Sequence, residues 1–335
     1  MTGCPASPVV RLWCPRDPGS VVDRVAYTGC PPNSGAPPGW DKDDKAEEVA
    51  DACVGEAVGM EWDEALAGVA HAVRIPEIPV GMSTAAVYPE PTAAAFALAA
   101  ELGYDGVEVM VQTDPVSQSV DALSDLVQEY QIPVLSVHSP CLLLTARVWS
   151  SDPLVKLARS VDMAERLSAT AVVVHPPFVW QRSAVATFTP SVAELQDRTD
   201  VRIAVENMFP VKVRGAVVNS YRPHWNPVAA GHRWFTLDLS HTATSRIDAM
   251  ELAAQMGDRL GHLHLGDGSG SAKDEHLVPG RGGQPCAEML DLLSRNGFDG
   301  AVVVEISTRN VAQEERETDL AEALTFARLH LAASV

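Results

Sequence analysis

The sequence contains no long hydrophobic segment. No apolar run approaches the roughly 18 residues that a membrane-spanning helix needs. The first residues also lack the charged-then-apolar pattern of a secretory signal. The sequence therefore gives no indication of secretion or of a membrane span, and we predict a cytoplasmic protein without membrane contact.

Cysteine is scarce and is not spaced for a metal motif. The six cysteines lie at positions 4, 14, 30, 53, 141 and 286, and no two of them form a Cys-x-x-Cys pair. Their spacings fit no zinc knuckle. This usage favours a reduced protein, in agreement with a cytoplasmic location.

Basic residues are outnumbered by acidic ones. The chain has 25 Lys and Arg against 44 Asp and Glu, a net charge of −19. A protein that binds duplex DNA usually has a cluster of Lys and Arg residues that contact the phosphates. We therefore do not expect nucleic acid as a partner. Hydrophobic residues make up 46% of the chain, which is enough for a sizeable core.

The first 74 residues differ from the rest of the chain. They hold four of the six cysteines and the proline pairs at 31–32 and 37–38, and they show no strand pattern. From Asp41 to Arg74 the sequence is acidic and rich in alanine. We predict a poorly ordered N-terminal extension over residues 1–74, followed by a single domain over residues 75–335.

In the second part of the chain, strands and helices alternate. We predict strands over 80–88, 106–111, 132–138, 171–175, 201–206, 234–238, 260–265 and 301–305. Most of these strands are followed by a helical pattern, for example the apolar stripe of Leu154, Leu157 and Val161.

Eight such units over about 255 residues are typical of a (β/α)8 TIM barrel. A doubly wound sheet would need a glycine-rich phosphate loop after its first strand, and residues 83–86 do not form one. Residues 209–233 carry little helical pattern, and we interpret them as a long loop, acting as a lid, on the active face.

Metal-binding side chains stand at the ends of six predicted strands or on the loops that follow. In a TIM barrel these ends meet at one mouth. Carboxylates brought so close repel each other unless cations neutralise them. The convergence predicts one to three divalent ions, zinc or manganese, since imidazole and carboxylate ligands suit both metals. The predicted ligands are His138, His175, Glu206, Asp238, His241, His264, Asp274, His276 and Glu305.

The motifs around these residues resemble those of the xylose isomerase-like TIM-barrel superfamily over roughly residues 79–308. Two branches of that superfamily are similar to this sequence, the sugar isomerases and epimerases and the endonuclease IV proteins, which cut DNA at abasic sites. The motifs are Ser136–Pro140, Val174–Pro177, Ala204–Asn207, Leu237–His241, His262–His264, Asp274–His276 and Val304–Glu305.

The isomerase resemblance implies one divalent metal held by Glu206, Asp238, His264 and Glu305. Glu206 and Glu305 would then flank the substrate from roughly opposite sides of the mouth as catalytic proton-transfer groups. We expect the substrate to be bound by His241, Arg281 and Trp180.

The endonuclease IV resemblance uses all nine predicted ligands for three zinc ions. A first zinc would be held by His138, His175 and Glu206, a second by the four isomerase ligands, and a third by His241, Asp274 and His276. Charge counts against this reading, because residues 75–335 contain 19 Lys and Arg against 32 Asp and Glu.

A non-catalytic barrel is disfavoured by the complete ligand set. We therefore predict a divalent-metal-dependent isomerase or epimerase of a small sugar or sugar phosphate. An endonuclease IV-like phosphodiesterase is the alternative. The identity of the substrate and the oligomeric state are not predicted.

Overall fold

Eight parallel strands close into a barrel in the computed structural model of the chain, which describes residues 73–74, 78–141, 143–213 and 216–334. Each strand pairs in parallel with the next along the chain, and the last pairs with the first. The predicted (β/α)8 barrel is confirmed. Its strands are β1 (Val80–Ser83), β2 (Gly106–Met110), β3 (Val134–His138), β4 (Ala171–Val174), β5 (Arg202–Glu206), β6 (Trp234–Asp238), β7 (Leu260–Leu265) and β8 (Ala301–Val304).

Every barrel strand except β5 is followed by at least one α-helix in the described residues. None of these helices is long and apolar enough to cross a membrane. Side chains cap several of them, for example Ser119 and Asp152, which accept hydrogen bonds from backbone N–H groups of the first turn. The helices are α1 (Thr92–Leu102), α2 (Val120–Tyr130), α3 (Pro153–Leu167), α4 (Arg182–Gln196), α5 (Leu239–Ser245), α6 (Ala249–Met256), α7 (Cys286–Arg295) and α8 (Gln313–Leu331).

The strands are buried on both faces. Strands β4 and β8 both read Ala-Val-Val-Val, and all four residues of each are buried. One face of such a strand packs against the surrounding helices and the other fills the barrel interior. Continuous apolar runs are therefore expected here, and a polar residue inside a strand calls for a specific reason.

Several segments differ from the prediction, among them helix α5, which was not predicted. The first strand ends at Ser83 instead of residue 88, because the Ser83 hydroxyl accepts the Ala85 N–H and caps a 3-10 turn over Thr84–Val87. Residues 209–233 contain an antiparallel hairpin, Val211–Val213 with Ala216–Val218, instead of a bare loop. Helix α4 was not predicted.

Most of the predicted N-terminal extension, residues 1–74, lies outside the described residues. The exception is Val73–Arg74, a two-residue strand that pairs antiparallel with Ala333–Ser334. This strand was not predicted from the sequence.

Gly106 offers a test of how tightly the barrel is packed. A Cβ at this position would lie 2.5 Å from Cγ of Leu135 and 2.8 Å from the carbonyl oxygen of Pro133. We expect Gly106→Ala to lower the free energy of unfolding by about 1–3 kcal/mol through overpacking. Thermal unfolding followed by circular dichroism measures the effect. Gly283→Ala is the control, because the nearest atom to its added Cβ lies 3.9 Å away. Equal unfolding midpoints for the two variants would contradict the prediction.

Candidate metal centre

The structure brings all nine predicted ligands together at the carboxyl ends of strands β3 to β8. His138, Glu206 and Asp238 are the last residues of their strands, and His264 lies within β7. The other five lie on the loop or helix that follows a strand: His175, His241, Asp274, His276 and Glu305. The barrel therefore brings these side chains together, as the sequence predicted. Their role as metal ligands stays a prediction.

Glu206 lies at the centre of this cluster and is 1% exposed. Its Oε2 is 2.9 Å from Nε2 of His175 and 3.4 Å from Nε2 of His138. Its Oε1 is 3.2 Å from Nδ1 of His241 and 3.3 Å from Nδ1 of His264. One carboxylate thus joins imidazoles from four different parts of the rim.

The cluster contains three overlapping groups that fit a divalent cation. Within each group, one ligand atom from every residue lies within 4.8 Å of the others. Oε2 of Glu206 and Oδ2 of Asp238 are buried without a hydrogen-bond partner. Buried oxygens of this kind are costly unless a positive charge compensates them. The groups are His138, His175 and Glu206; Asp238, His241 and His276; and Glu206, Asp238, His264 and Glu305.

Three histidines are oriented by backbone carbonyl groups. A carbonyl oxygen can only accept, so the Nδ1 atom of each ring carries the proton and donates it there. In the neutral ring, which is the form that binds a metal, Nε2 then keeps its lone pair and faces the cluster. The pairs are His138 with Ser139 O at 2.9 Å, His241 with Asn207 O at 2.8 Å, and His276 with Glu305 O at 2.9 Å.

Asn207 and Asp238 lock the ends of β5 and β6 together. The Asn207 side chain accepts the Asp238 N–H at 2.8 Å and donates to the Asp238 carbonyl at 3.1 Å. Oδ1 of Asp238 accepts the His241 N–H at 2.7 Å and so caps α5. Asp238 therefore uses one oxygen for the fold and keeps the other in the cluster.

Asp274 connects two histidines from the loop that follows β7. Its Oδ2 is 3.3 Å from Nε2 of His241 and 3.0 Å from Nε2 of His276. Its Oδ1 accepts a hydrogen bond from the Ser240 hydroxyl at 2.9 Å. Asp274 belongs to the cluster by contact, although it is not a member of the three close groups.

The pKa values favour ionised carboxylates. Burial raises the pKa of Asp274, but His276 and His241 outweigh it and hold that pKa well below its usual range. Burial also raises the pKa of Glu206, but the neighbouring His175 and His264 lower it by more. The pKa of Glu206 therefore lies well below its usual range. Conversely, Asp274 overcomes the effect of burial on His276 and raises its pKa to about 10. The mouth thus holds several anionic oxygens that a cation would stabilise.

A cavity of about 310 Å³ opens over the cluster. This volume suits a small molecule. Arg309 is the only Lys or Arg among the described residues that line the cavity, and its guanidinium carbon lies 5.2 Å from the ring centroid of Tyr88. The walls are mainly apolar or aromatic: Tyr88, Met110, Leu144, Met208, Phe209, Tyr221 and Ile306.

Two of the three predicted substrate-binding residues lie elsewhere. His241 lines the cavity. Arg281 instead forms ion pairs with Asp319 and Glu322 on α8, and it is not a lining residue. Trp180 is 56% exposed and stacks on Phe178 with the ring centroids 4.5 Å apart, also away from this cavity. The binding roles of Arg281 and Trp180 stay predictions that this geometry does not favour.

Sequence reasoning missed Glu108 and gave His262 no functional role. Both side chains are fully buried in the barrel interior. Glu108 lies 3.0 Å from His262 and 3.1 Å from His264, and together the three form a fourth group of close ligand atoms. The available signal was a single charged residue in the apolar strand Gly-Val-Glu-Val-Met.

Asp238 allows a direct test of metal binding. We expect zinc or manganese at 100 times its dissociation constant to raise the free energy of unfolding of the wild-type protein by about 2.7 kcal/mol. Asp238→Asn keeps a good helix cap but loses the anionic oxygen in the cluster. Its metal-free midpoint should therefore stay near that of the wild type, while the metal-induced rise shrinks. Thermal unfolding with and without the metal measures both.

The matched control is Asp248→Asn. Asp248 caps α6 with hydrogen bonds from the N–H groups of Met250 and Glu251 and takes no part in the cluster. This variant should keep the full metal-induced rise. An equal rise in both variants would show that Asp238 does not hold the cation.

Comparison with known proteins gives one family and several relatives. The family model described as xylose isomerase-like TIM barrel matches residues 96–330. An uncharacterized protein of Mycobacterium leprae is 50% identical over 276 residues, covering 76% of this chain and 99% of the relative. Fructoselysine 3-epimerase of Shigella flexneri is 24% identical over 250 residues, covering 68% of this chain and 90% of the relative.

Two solved structures share the fold. A D-tagatose 3-epimerase-like protein superposes with a TM-score of 0.55 at 20% identity, covering 75% of this chain and 99% of that one. An AP endonuclease of family 2 from Brucella melitensis superposes with a TM-score of 0.54 at 16% identity, covering 73% of this chain and 97% of that one. At such identities the likeness concerns the fold alone.

Proposed function

The chain belongs to the xylose isomerase-like TIM-barrel family, and from this premise we propose that it is a divalent-metal-dependent isomerase or epimerase of a small sugar or sugar phosphate. The observation that carries the proposal is the group of Glu206, Asp238, His264 and Glu305 beside a cavity of small-molecule size. The similarity to fructoselysine 3-epimerase of Shigella flexneri, which covers 90% of that relative, supports the proposal.

The four side chains of this group would hold one cation. The cation, when bound, supplies positive charge that polarises a carbonyl or hydroxyl oxygen of the sugar. The remaining wall of the cavity is apolar and aromatic, which suits the C–H faces of a sugar and excludes water from the reacting carbon.

Glu206 and Glu305 are the candidates for moving the proton. An epimerisation breaks a C–H bond on one face of a carbon, leaves the electron pair on the sugar, and forms a new C–H bond on the other face. One carboxylate takes the first proton and the other carboxyl group supplies the second. The pKa of each glutamate is lowered because nearby histidines outweigh burial, which suits the group that accepts the first proton; the group that supplies the second must be protonated before that step.

The arrangement of these two glutamates differs from the expectation. They stand three strands apart, and Oε1 of Glu206 and Oε2 of Glu305 both approach Nδ1 of His264, at 3.3 and 2.8 Å. The carboxylates therefore converge instead of facing each other across the whole mouth. The reacting carbon must sit above this pair, where each carboxylate can reach a different face.

The position of Arg309 is an argument for a negatively charged group on the substrate. It is exposed, faces the cavity, and has no carboxylate at ion-pair distance among the described residues. A guanidinium group pairs strongly with phosphate or carboxylate oxygens. Of the two substrate classes predicted, this position favours the sugar phosphate.

The glutamates should be indispensable even when metal is plentiful. Gln at either position keeps the shape but removes the proton acceptor, so we expect Glu206→Gln and Glu305→Gln each to abolish turnover in saturating manganese or zinc. His138→Ala and His276→Ala should retain measurable activity, because these histidines lie outside the four-residue group. Turnover of all four variants on a panel of ketoses and ketose phosphates decides the matter.

A multi-zinc phosphodiesterase is the second candidate. The additional histidine groups favour it, since a reaction that uses several ions gives each of them a role. The net charge of −13 over residues 75–335 counts against a DNA substrate, and so does the presence of just one Lys or Arg among the described residues that line the cavity. Histidine variants as inactive as the glutamate variants, together with cleavage of abasic duplex DNA by the wild type, would overturn the isomerase proposal.

Arg309→Gln tests the class of substrate. Removing a charge-assisted hydrogen bond worth about 1.5–3 kcal/mol should raise KM for a ketose phosphate by about 10- to 100-fold. KM for the corresponding neutral ketose should stay unchanged. Arg281→Gln is the matched control, since Arg281 is also an exposed arginine but pairs with α8. If Arg281→Gln raised this KM and Arg309→Gln did not, the sequence-based role of Arg281 would be restored.

A further inference from the structure

A carboxylate that no proposed step uses lies beneath the metal centre. Glu108, in the middle of β2, is fully buried in the barrel interior. Resting on the metal site proposed above, we propose that Glu108 is a positioning residue. It fixes His264 so that Nδ1 of that ring faces the cation.

The His264 ring spans two layers of carboxylates. On the lower side, its Nε2 is hydrogen-bonded to Oε2 of Glu108 at 3.4 Å and lies 3.1 Å from Oε1, which has no hydrogen-bond partner. On the upper side, its Nδ1 lies 2.8 Å from Glu305 and 3.5 Å from Asp238. A neutral imidazole carries one proton and can donate on one side only. With Glu108 below, that proton belongs on Nε2, and the lone pair of Nδ1 is then directed at the cation.

Other contacts hold Glu108 rigidly in place. Ser136, its register partner on β3, donates its hydroxyl proton to Oε2 at 2.7 Å. Nε2 of His262 on β7 lies 3.0 Å from the same oxygen. All these groups stand on barrel strands and not on loops. A ligand supported by strand residues is positioned more accurately than one supported by a loop.

The trio of Glu108, His262 and His264 is less suited to a cation of its own. Its ligand atoms are close enough, within 4.8 Å. However, a lower ion would need the Nε2 lone pair of His264 while the upper ion needs the Nδ1 lone pair. A neutral ring cannot offer both, because one nitrogen carries the proton. The trio is also completely buried, so a cation held there would not contact the substrate.

The test compares cation binding in Glu108→Gln with that of the wild type. The amide keeps the size of the side chain, but it loses the charge that fixes the proton on Nε2. We expect the affinity for Zn²⁺ and Co²⁺, measured by competition with a chelator, to fall about 10- to 100-fold. The visible absorption of the Co²⁺ form should change as well. Glu108→Asp restores the charge and should recover part of both signals.

Asp267→Asn separates positioning from a merely structural role. Asp267 is an equally buried carboxylate on the loop that follows β7, but it accepts backbone N–H groups of Gly268, Gly280, Gly282 and Gln284. This variant should be less stable while its Co²⁺ spectrum and cation affinity match the wild type. Far-ultraviolet circular dichroism of each metal-free variant checks the fold.

If Glu108→Gln does not fold, the wild-type protein still decides the question. In the zinc-loaded protein with ¹⁵N-labelled histidine, nuclear magnetic resonance should show His264 protonated on Nε2 and zinc-bound through Nδ1. The opposite tautomer would overturn the inference.

The possible failures are distinguishable. A wild-type protein that binds no divalent cation would remove the proposed function and this inference together. A folded Glu108→Gln variant with unchanged affinity and spectrum would remove the inference alone. A variant that lost one whole ion per chain, with the remaining affinity unchanged, would show that the trio holds its own cation, and the positioning role would be wrong.

Discussion

The burial of the Glu206 carboxylate is the constraint on which the site depends. An ionised oxygen taken out of water is costly unless charges and donors surround it. Here imidazoles from β3, the end of β4, α5 and β7 approach the two oxygens, but Oε2 still has no hydrogen-bond partner, so its charge calls for a positive charge that protonated rings or a bound cation would supply. Each imidazole in turn needs a fixed orientation, and the backbone carbonyls behind His138 and His241 provide it. The arrangement of the rim therefore follows from one buried charge.

The barrel interior has two layers of residues with different roles, one that supports the site and one that lines the cavity. The lower layer consists of strand residues such as Glu108, Ser136 and His262, which are buried and set the positions of the side chains above them. The upper layer is built partly from loops, among them the segment that carries Asp274 and the residues near Phe209 that line the cavity. Changes in loops can alter the substrate while the strands keep the cation site, because the supporting contacts lie within the sheet.

The sequence revealed the strands and the converging ligands because both depend on local pattern. Parallel strands buried on both faces give continuous apolar runs, and their ends meet at one rim in any closed barrel. Helix α4 was missed because Pro190 lies inside it, and proline normally argues against a helix interior. The ion pairs of Arg281 could not be predicted from the sequence. Its partners Asp319 and Glu322 lie about 40 residues later on α8, and only the tertiary packing of that helix brings them close.

The histidines outside the four-residue group do not by themselves decide between the two reactions. In a one-cation enzyme, His138 and His175 still have a physical role, because each of them, when protonated on Nε2, can donate to Oε2 of Glu206, while Oε1 lies on the side of His264 and the proposed cation. The extra histidines therefore favour an enzyme with several ions without excluding one with a single cation. Charge discriminates better: a phosphodiester backbone requires several basic contacts, whereas the cavity offers Arg309 alone among its described lining residues. One guanidinium matches one anionic group on a small sugar.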